Sequence, residues 1–162
     1  MTTPSPTTDT RSADGVVRPA VETGRRDALL PAPQVQNHAA NLTVLPDGSL
    51  GCVWFAGTQE GVPDISVWFS RLDPGTDVWS EPVQLSCDST RSEQNPVLHV
   101  AESGTVWLLW TSQHAGNQDT ARVMRRISAD GGRTWGEQHT LLPGTDAGGG
   151  FGRQPGVALP TG

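Results

Sequence analysis

The chain has no tyrosine and no lysine, and only two cysteines and three phenylalanines among its 162 residues. All 11 cations are therefore arginines, set against 17 acidic residues for a net charge of −6. No face can become strongly basic without heavy local segregation, so phosphate-backbone binding is disfavoured and nucleic acid is not an expected partner. Cys52 and Cys87 form no CxxC pair and His38, His99, His114 and His139 are scattered, so metal-ligand spacing is absent and neither a metal nor a cofactor is expected. Cys52 lies inside an apolar run, where a buried and unreactive thiol is the expectation. No apolar run approaches the ~18 residues of a membrane-spanning helix, and residues 1–13 are polar, without an apolar stretch of the signal-peptide kind. These absences predict no membrane partner and a cytoplasmic location. They leave the oligomeric state open.

Glycine (19) and proline (13) are in excess, together about a fifth of the chain against roughly 12% in an average protein. That excess points to a turn-rich β protein. Residues 1–34 carry Thr, Ser, Pro, Asp and Arg with little periodicity and too few apolar residues to bury a face, which reads as a flexible, disordered leader. From Asn37 onward a repeat takes over. Asp47-Gly48 and Ser103-Gly104 each lie between two apolar runs, as hairpin turns do, and their glycines are 56 residues apart. Trp54 and Trp110 repeat that interval, as do Trp79 and Trp135, and Gly162 follows Gly104 by 58.

Each period holds four short β-type runs, near 41–45, 50–55, 65–71 and 83–85 in the first and 96–100, 105–111, 121–127 and 138–141 in the second. No stretch shows convincing helical periodicity. Four strands at a period near 50 is the arrangement of a β-propeller blade. The predicted organisation is all-β, with a partial propeller over 35–162 comprising one blade at 37–90, a second at 91–145 and the start of a third at 146–162.

Ser128, Asp130, Gly132, Thr134 and Trp135 follow the spacing Ser-x-Asp-x-Gly-x-Thr-Trp, and a looser copy, with one residue inserted before the aspartate and one before the tryptophan, runs from Ser70 through Asp73 and Gly75 to Trp79. Both resemble the Asp-box, or BNR repeat, of the sialidase superfamily. In such a turn an aspartate accepts backbone N–H groups, a glycine supplies positive φ and the tryptophan covers the junction, so the box is expected to be structural. The segments QNHAANLTVLPDGSLGCVWFAGTQEG, SEQNPVL, AGNQDTARV and GFGRQPGV look like a bacterial sialidase-like branch that is also similar to propeller lyases releasing rhamnose from glucuronate. The resemblance spans roughly 29–162 and implies a six- or seven-bladed propeller acting on a terminal acidic sugar, of which this chain supplies about two blades plus the start of a third.

Chemistry in a propeller is expected near the axis, where the innermost strands begin. His38 and Gln94 sit ten residues before their hairpin glycines and Arg153 nine before Gly162, flanked by Asn37, Glu93, Asn95 and Gln154. These polar residues introduce apolar strands and are the candidate binding groups, with polar capping of exposed strand ends as the structural alternative. A sialidase holds the substrate carboxylate with arginines, protonates the leaving oxygen with an acid and attacks with a tyrosine. The position of the family's first arginine reads Asn37-His38-Ala39 here, and no tyrosine exists in the chain. Glu60 or Asp64, in the loop before the third strand, could be the acid, with a solvated loop carboxylate as the alternative for each. A uronate lyase needs a base, which His38 suits, and a cation for the carboxylate, which Arg153 suits. His114 and Gln118 lie in a loop after Trp110 that could border the same pocket, with a solvated loop as the alternative. The expectation is exo-sialidase-type hydrolysis, with uronate elimination or non-catalytic glycan binding as alternatives. The residues present would make only part of such a site.

Overall fold

The apolar runs become ten strands in a computed structural model that describes residues 12–144 and 148–150. Strands β1 (Arg18–Pro19) and β2 (Arg26–Asp27) form a small antiparallel pair. Strands β3 (Gln36–Val44), β4 (Leu50–Gly57), β5 (Ser66–Leu72) and β6 (Val83–Gln84) follow one another in a four-stranded antiparallel meander. A second meander contains β7 (Arg91–Val100), β8 (Val106–His114), β9 (Asn117–Ser128) and β10 (His139–Leu142). All eight expected runs are strands, and the two meanders are successive blade-like sheets of an all-β fold.

The repeat survives as geometry because its turns are local. Gly48 (φ 82°) donates to the Leu45 carbonyl at 3.0 Å and Gly104 (φ 81°) to the Ala101 carbonyl at 2.9 Å, while Ser49 and Thr105 accept from Leu45 and Ala101. Positive φ at both positions makes glycine the fitting residue. Each inner strand starts earlier than its apolar run because a bulge carries it backwards. The pairing shifts between His38 and Asn41 in β3 and between Gln94 and Val97 in β7, at Ala39 (φ 53°) and Asn95 (φ 52°).

The sheets pack face to face. Val53, Val67, Phe69 and Leu85 of the first meet Leu98, Val106, Leu108, Trp110 and Met124 of the second in one apolar core. Asn41 Oδ1 accepts the Leu98 N–H at 3.0 Å and Ile65 O accepts the Glu93 N–H at 3.1 Å, fixing the register between the sheets. The box turn seals the same joint. Asp130 Oδ1 accepts N–H groups from Arg133 (3.0 Å) and Thr134 (2.9 Å), its Oδ2 accepts the Thr134 hydroxyl (2.6 Å), and Trp135 meets Phe69 edge-on at 5.5 Å. Those donors hold the Asp130 carboxyl well below the usual range. The looser copy works differently. In this longer turn Thr76 caps the Asp73 carbonyl, and the Asp73 carboxylate turns back to Arg71.

Within the expected leader, the described residues 12–34 depart from expectation. Residues 12–34 are not a loose leader: Gly15 bonds Leu29 and Trp79, Val17 bonds Asp77, and Val17, Ala28 and Leu30 pack on Cys52, Trp54, Ala56 and Trp79. The apolar residues are too few to bury a face of their own, but enough to cover an apolar face already present. The cover is partial. Leu42 is 60% exposed on β3, whereas its counterpart in the next repeat, Leu98, is 1% exposed beneath the first sheet. Of the expected third blade, only 148–150 fall within the described residues, where Gly150 donates to the Ala121 carbonyl at 3.0 Å. Among the described residues, no helix is long and apolar enough to cross a membrane.

Candidate functional site

The two inner strands begin at the same end of the sheets as the β4–β5 connection, since Gln36 pairs with Gly57 and Ala56 pairs with Ser66. At this end one arrangement occurs twice. The Trp54 indole N–H donates to Asn37 Oδ1 at 3.0 Å, and 56 residues on the Trp110 indole N–H donates to Glu93 Oε1 at 3.1 Å. A tryptophan on the second strand of each sheet thereby orients the polar residue that opens the first.

Around this repeated pair the candidate residues take different positions. His38 is exposed and stacks on Phe55, with ring centroids 5.5 Å apart and planes 22° from parallel. Asn37 is exposed and also donates to the Gln34 carbonyl. Gln94, at the His38 position of the second sheet, is buried and donates to Ser92 Oγ at 3.0 Å, while Asn95 is half-buried at the bulge. Glu60 is brought to the start of β3, where its N–H donates to Gln36 Oε1 at 3.0 Å, and its side chain is exposed. Asp64 accepts the Thr58 hydroxyl at 2.6 Å and the Thr58 N–H, closing the loop on itself. Gln118 is exposed at the start of β9. Arg153 and Gln154 lie outside the described residues. The structure thus gathers His38, Asn37 and Glu60 at one strand end.

Glu93 is fully enclosed, and burial pushes its carboxyl up, with the Ser86 hydroxyl and the Trp110 N–H offsetting part of that effect and the nearby Asp88 charge adding to it. A raised value in the folded state has a definite sign. Below the ordinary glutamate value of 4.5 both states are protonated. As the pH rises from there, the unfolded chain ionises first, and stability falls until the folded group also ionises. Glu93→Gln keeps an acceptor for Trp110, as the neutral Asn37 does for Trp54. It is expected to raise the urea midpoint near neutral pH and to leave it unchanged near about pH 4. An unchanged midpoint at both pH values would contradict the burial argument.

Arg91, at the start of β7, is buried despite its charge. Its guanidinium donates to Ser112 Oγ (3.0 Å), the Ser112 carbonyl (2.9 Å) and the Thr120 carbonyl (2.6 Å), and meets His114 Nε2 at 2.9 Å. It closes the end of the second sheet, and burial pulls its basicity down. The sequence held no local cue to this, because its partners lie 21 to 29 residues away. Cys52 is buried as expected, and burial pushes its thiol up to about 11. Among the described residues no group of three or more His, Cys, Asp or Glu side chains could hold a metal ion.

The family model for the BNR repeat-like domain matches residues 48–162. Among solved structures the chain is similar to the Hadza microbial sialidase Hz136, with a TM-score of 0.58 and 17% identity over 67% of this chain. The match covers 26% of that sialidase, so this chain spans about a quarter of its length, and at that identity the likeness is one of fold. The curated proteins contain no match.

Proposed function

The chain belongs to the BNR repeat-like domain family, and from that premise we propose that residues 35–162 form part of a six- or seven-bladed propeller cleaving a terminal acidic sugar from a glycan, as an exo-sialidase-type hydrolase. The observation that carries this reading is the twice-built strand end, which presents His38 and Asn37 on a tryptophan-braced scaffold with Glu60 beside them. In this reading Glu60 or Asp64 protonates the leaving oxygen. Arg153 clamps the substrate carboxylate, Asn95, Gln118 and Gln154 bind sugar hydroxyls, and the buried Glu93 and Gln94 hold the pocket wall. The nucleophile comes from another part of the propeller, because the chain contains no tyrosine. The whole protein's activity rests on those further blades.

One observation favours elimination from a uronate as the second reading. The exposed His38 imidazole offers a base, so a base and a carboxylate clamp could both come from this chain. Assayed in the whole propeller on glycans ending in sialic acid or carrying rhamnosyl-glucuronate, hydrolysis yields free acidic sugar without near-ultraviolet absorbance. Elimination yields an unsaturated uronate that absorbs there. His38→Ala is expected to lower the rate at least about a hundredfold if His38 is the base, and much less if it only lines the pocket. Absence of release from either substrate would leave glycan binding alone.

A further inference from the structure

The two sheets diverge at one place. In the second, β8 and β9 continue their ladder to a tight turn between His114 and Asn117. In the first, the ladder between β4 and β5 stops at Ala56 and Ser66, and residues 58–65 leave it. Pro63 cannot donate to a ladder, which keeps this segment open. The opening creates a cavity of about 710 Å³, lined by Thr58, Val62, Pro63, Asp64, Ser66 and Gln84 on one side and by Cys87, Asp88 and Ser89 of the crossing to the second sheet on the other. It opens at the same end of the sheets as His38.

We propose that this cavity is a subsite for an uncharged, hydroxyl-rich sugar, the residue next to the acidic terminal sugar; the choice of a sugar rests on the reading above. The described lining carries two carboxylates, Asp64 and Asp88, the second also reached by Arg122 at 3.4 Å, and no cation of its own, so it offers acceptors and no charged donor to an anion. Its acceptors are already fixed. Asp64 is tied to Thr58, Asp88 to the Thr90 N–H (3.0 Å) and hydroxyl (2.6 Å) through Oδ1 and to Arg122 (3.4 Å) through Oδ2, and Gln84 spends its amide donors on Ser66 Oγ (3.0 Å) and the Ser86 carbonyl (2.8 Å). Preorganised acceptors lower the ordering cost of binding a ligand rich in O–H donors. Val62 and Pro63 offer an apolar wall for the C–H face of a pyranose, and the volume lies within the range of small-ligand pockets. Gly57 permits the approach of Asp64, since a Cβ there would lie 2.8 Å from Asp64 Oδ1.

Cys87 supplies the readout, being the exposed thiol of the pair and part of the lining, whereas Cys52 is buried. The rate at which a chromogenic disulfide reagent modifies Cys87 is followed in the native protein with increasing glucose, galactose, lactose or cellobiose. At least one of these is expected to slow modification saturably, while N-acetylneuraminate and glucuronate leave it unchanged. Asp88→Asn, which keeps the acceptor for Thr90, is expected to weaken protection about tenfold. Protection by none of the four sugars, equal protection by the acidic sugars, or protection by calcium ion alone would each overturn the proposal. Release of acidic sugar in the assay above is a separate measurement, so a failure of this subsite and a failure of the acidic-sugar reading are told apart.

Discussion

Trp110→Ala is expected to destabilise the protein by about 3–5 kcal/mol, read as a lowered urea midpoint with little change in slope. Trp110 is 1% exposed and sits in the core between the two sheets, so truncation removes one of its largest side chains and leaves a cavity both sheets line. It also removes the N–H that reaches the buried Glu93 carboxyl. The two losses can be separated. Trp110→Phe keeps most of the packing and loses the donor, and its cost is expected to be larger near neutral pH than in acid, where Glu93 is protonated. Trp54→Phe breaks the equivalent bond in the first sheet, to the exposed and neutral Asn37, and is expected to cost less and to show no such pH dependence. Equal and pH-independent costs for the two phenylalanine variants would show that the charge on Glu93 does not matter to the fold.

That pair of tryptophans marks the limit of what could be read in advance. The 56-residue interval was legible because hairpin turns, box turns and apolar runs are local patterns, each fixed by a handful of neighbouring residues. Gly48 and Gly104 are turn glycines with the same φ, and Asp130 is a turn aspartate, as their neighbours imply. Partners distant in sequence were not legible. The polar residues opening the inner strands read as a set of equals facing one pocket. The structure divides them into an exposed His38, an Asn37 and a Glu93 each committed to an indole 17 residues away, and a buried Gln94. The burial of Arg91 and the order of the segment at 12–34 were not legible for the same reason. Their composition suits solvent, and only the tertiary surface they cover reveals why they are ordered. The bulges at Ala39 and Asn95 escaped as well: alanine is an unusual choice for positive φ, and a lone asparagine, though it tolerates that region, does not mark a bulge by itself.

Arg71→Met is expected to cost about 2–3 kcal/mol, below the 3–5 kcal/mol typical of breaking a fully buried pair. The guanidinium is 7% exposed and joins three turns from two sheets: it donates to Asp47 Oδ2 (2.8 Å) in the first hairpin, to Asp73 Oδ1 (Nε, 2.9 Å) in the looser box, and to the Gly131 carbonyl in the second box. Methionine preserves much of the apolar stem and removes every donor. The reduction for solvent follows from the acids, since the Asp47 and Asp73 side chains are 38% and 43% exposed and water can replace part of what they lose. Arg133 reaches the same two carboxylates at 3.2 and 3.3 Å but is 54% exposed, so Arg133→Ala is expected to change stability by no more than about 0.5 kcal/mol and to lose that effect in high salt. The Ser49 hydroxyl, and then Arg71, hold the Asp47 carboxyl well below its usual range. That stabilisation is present above the ordinary aspartate value of 3.8 and fades as the pH falls below it toward the folded value, so the gap between wild type and Arg71→Met should narrow in acid. Because Arg71 is the buried charged contact between one sheet's turns and the other's box, the variant should also speed amide exchange around Gly131 and Gly132 more than in the Gly48 hairpin. Uniform acceleration across both sheets would mean that the joint opens only with global unfolding and that Arg71 is no local clasp.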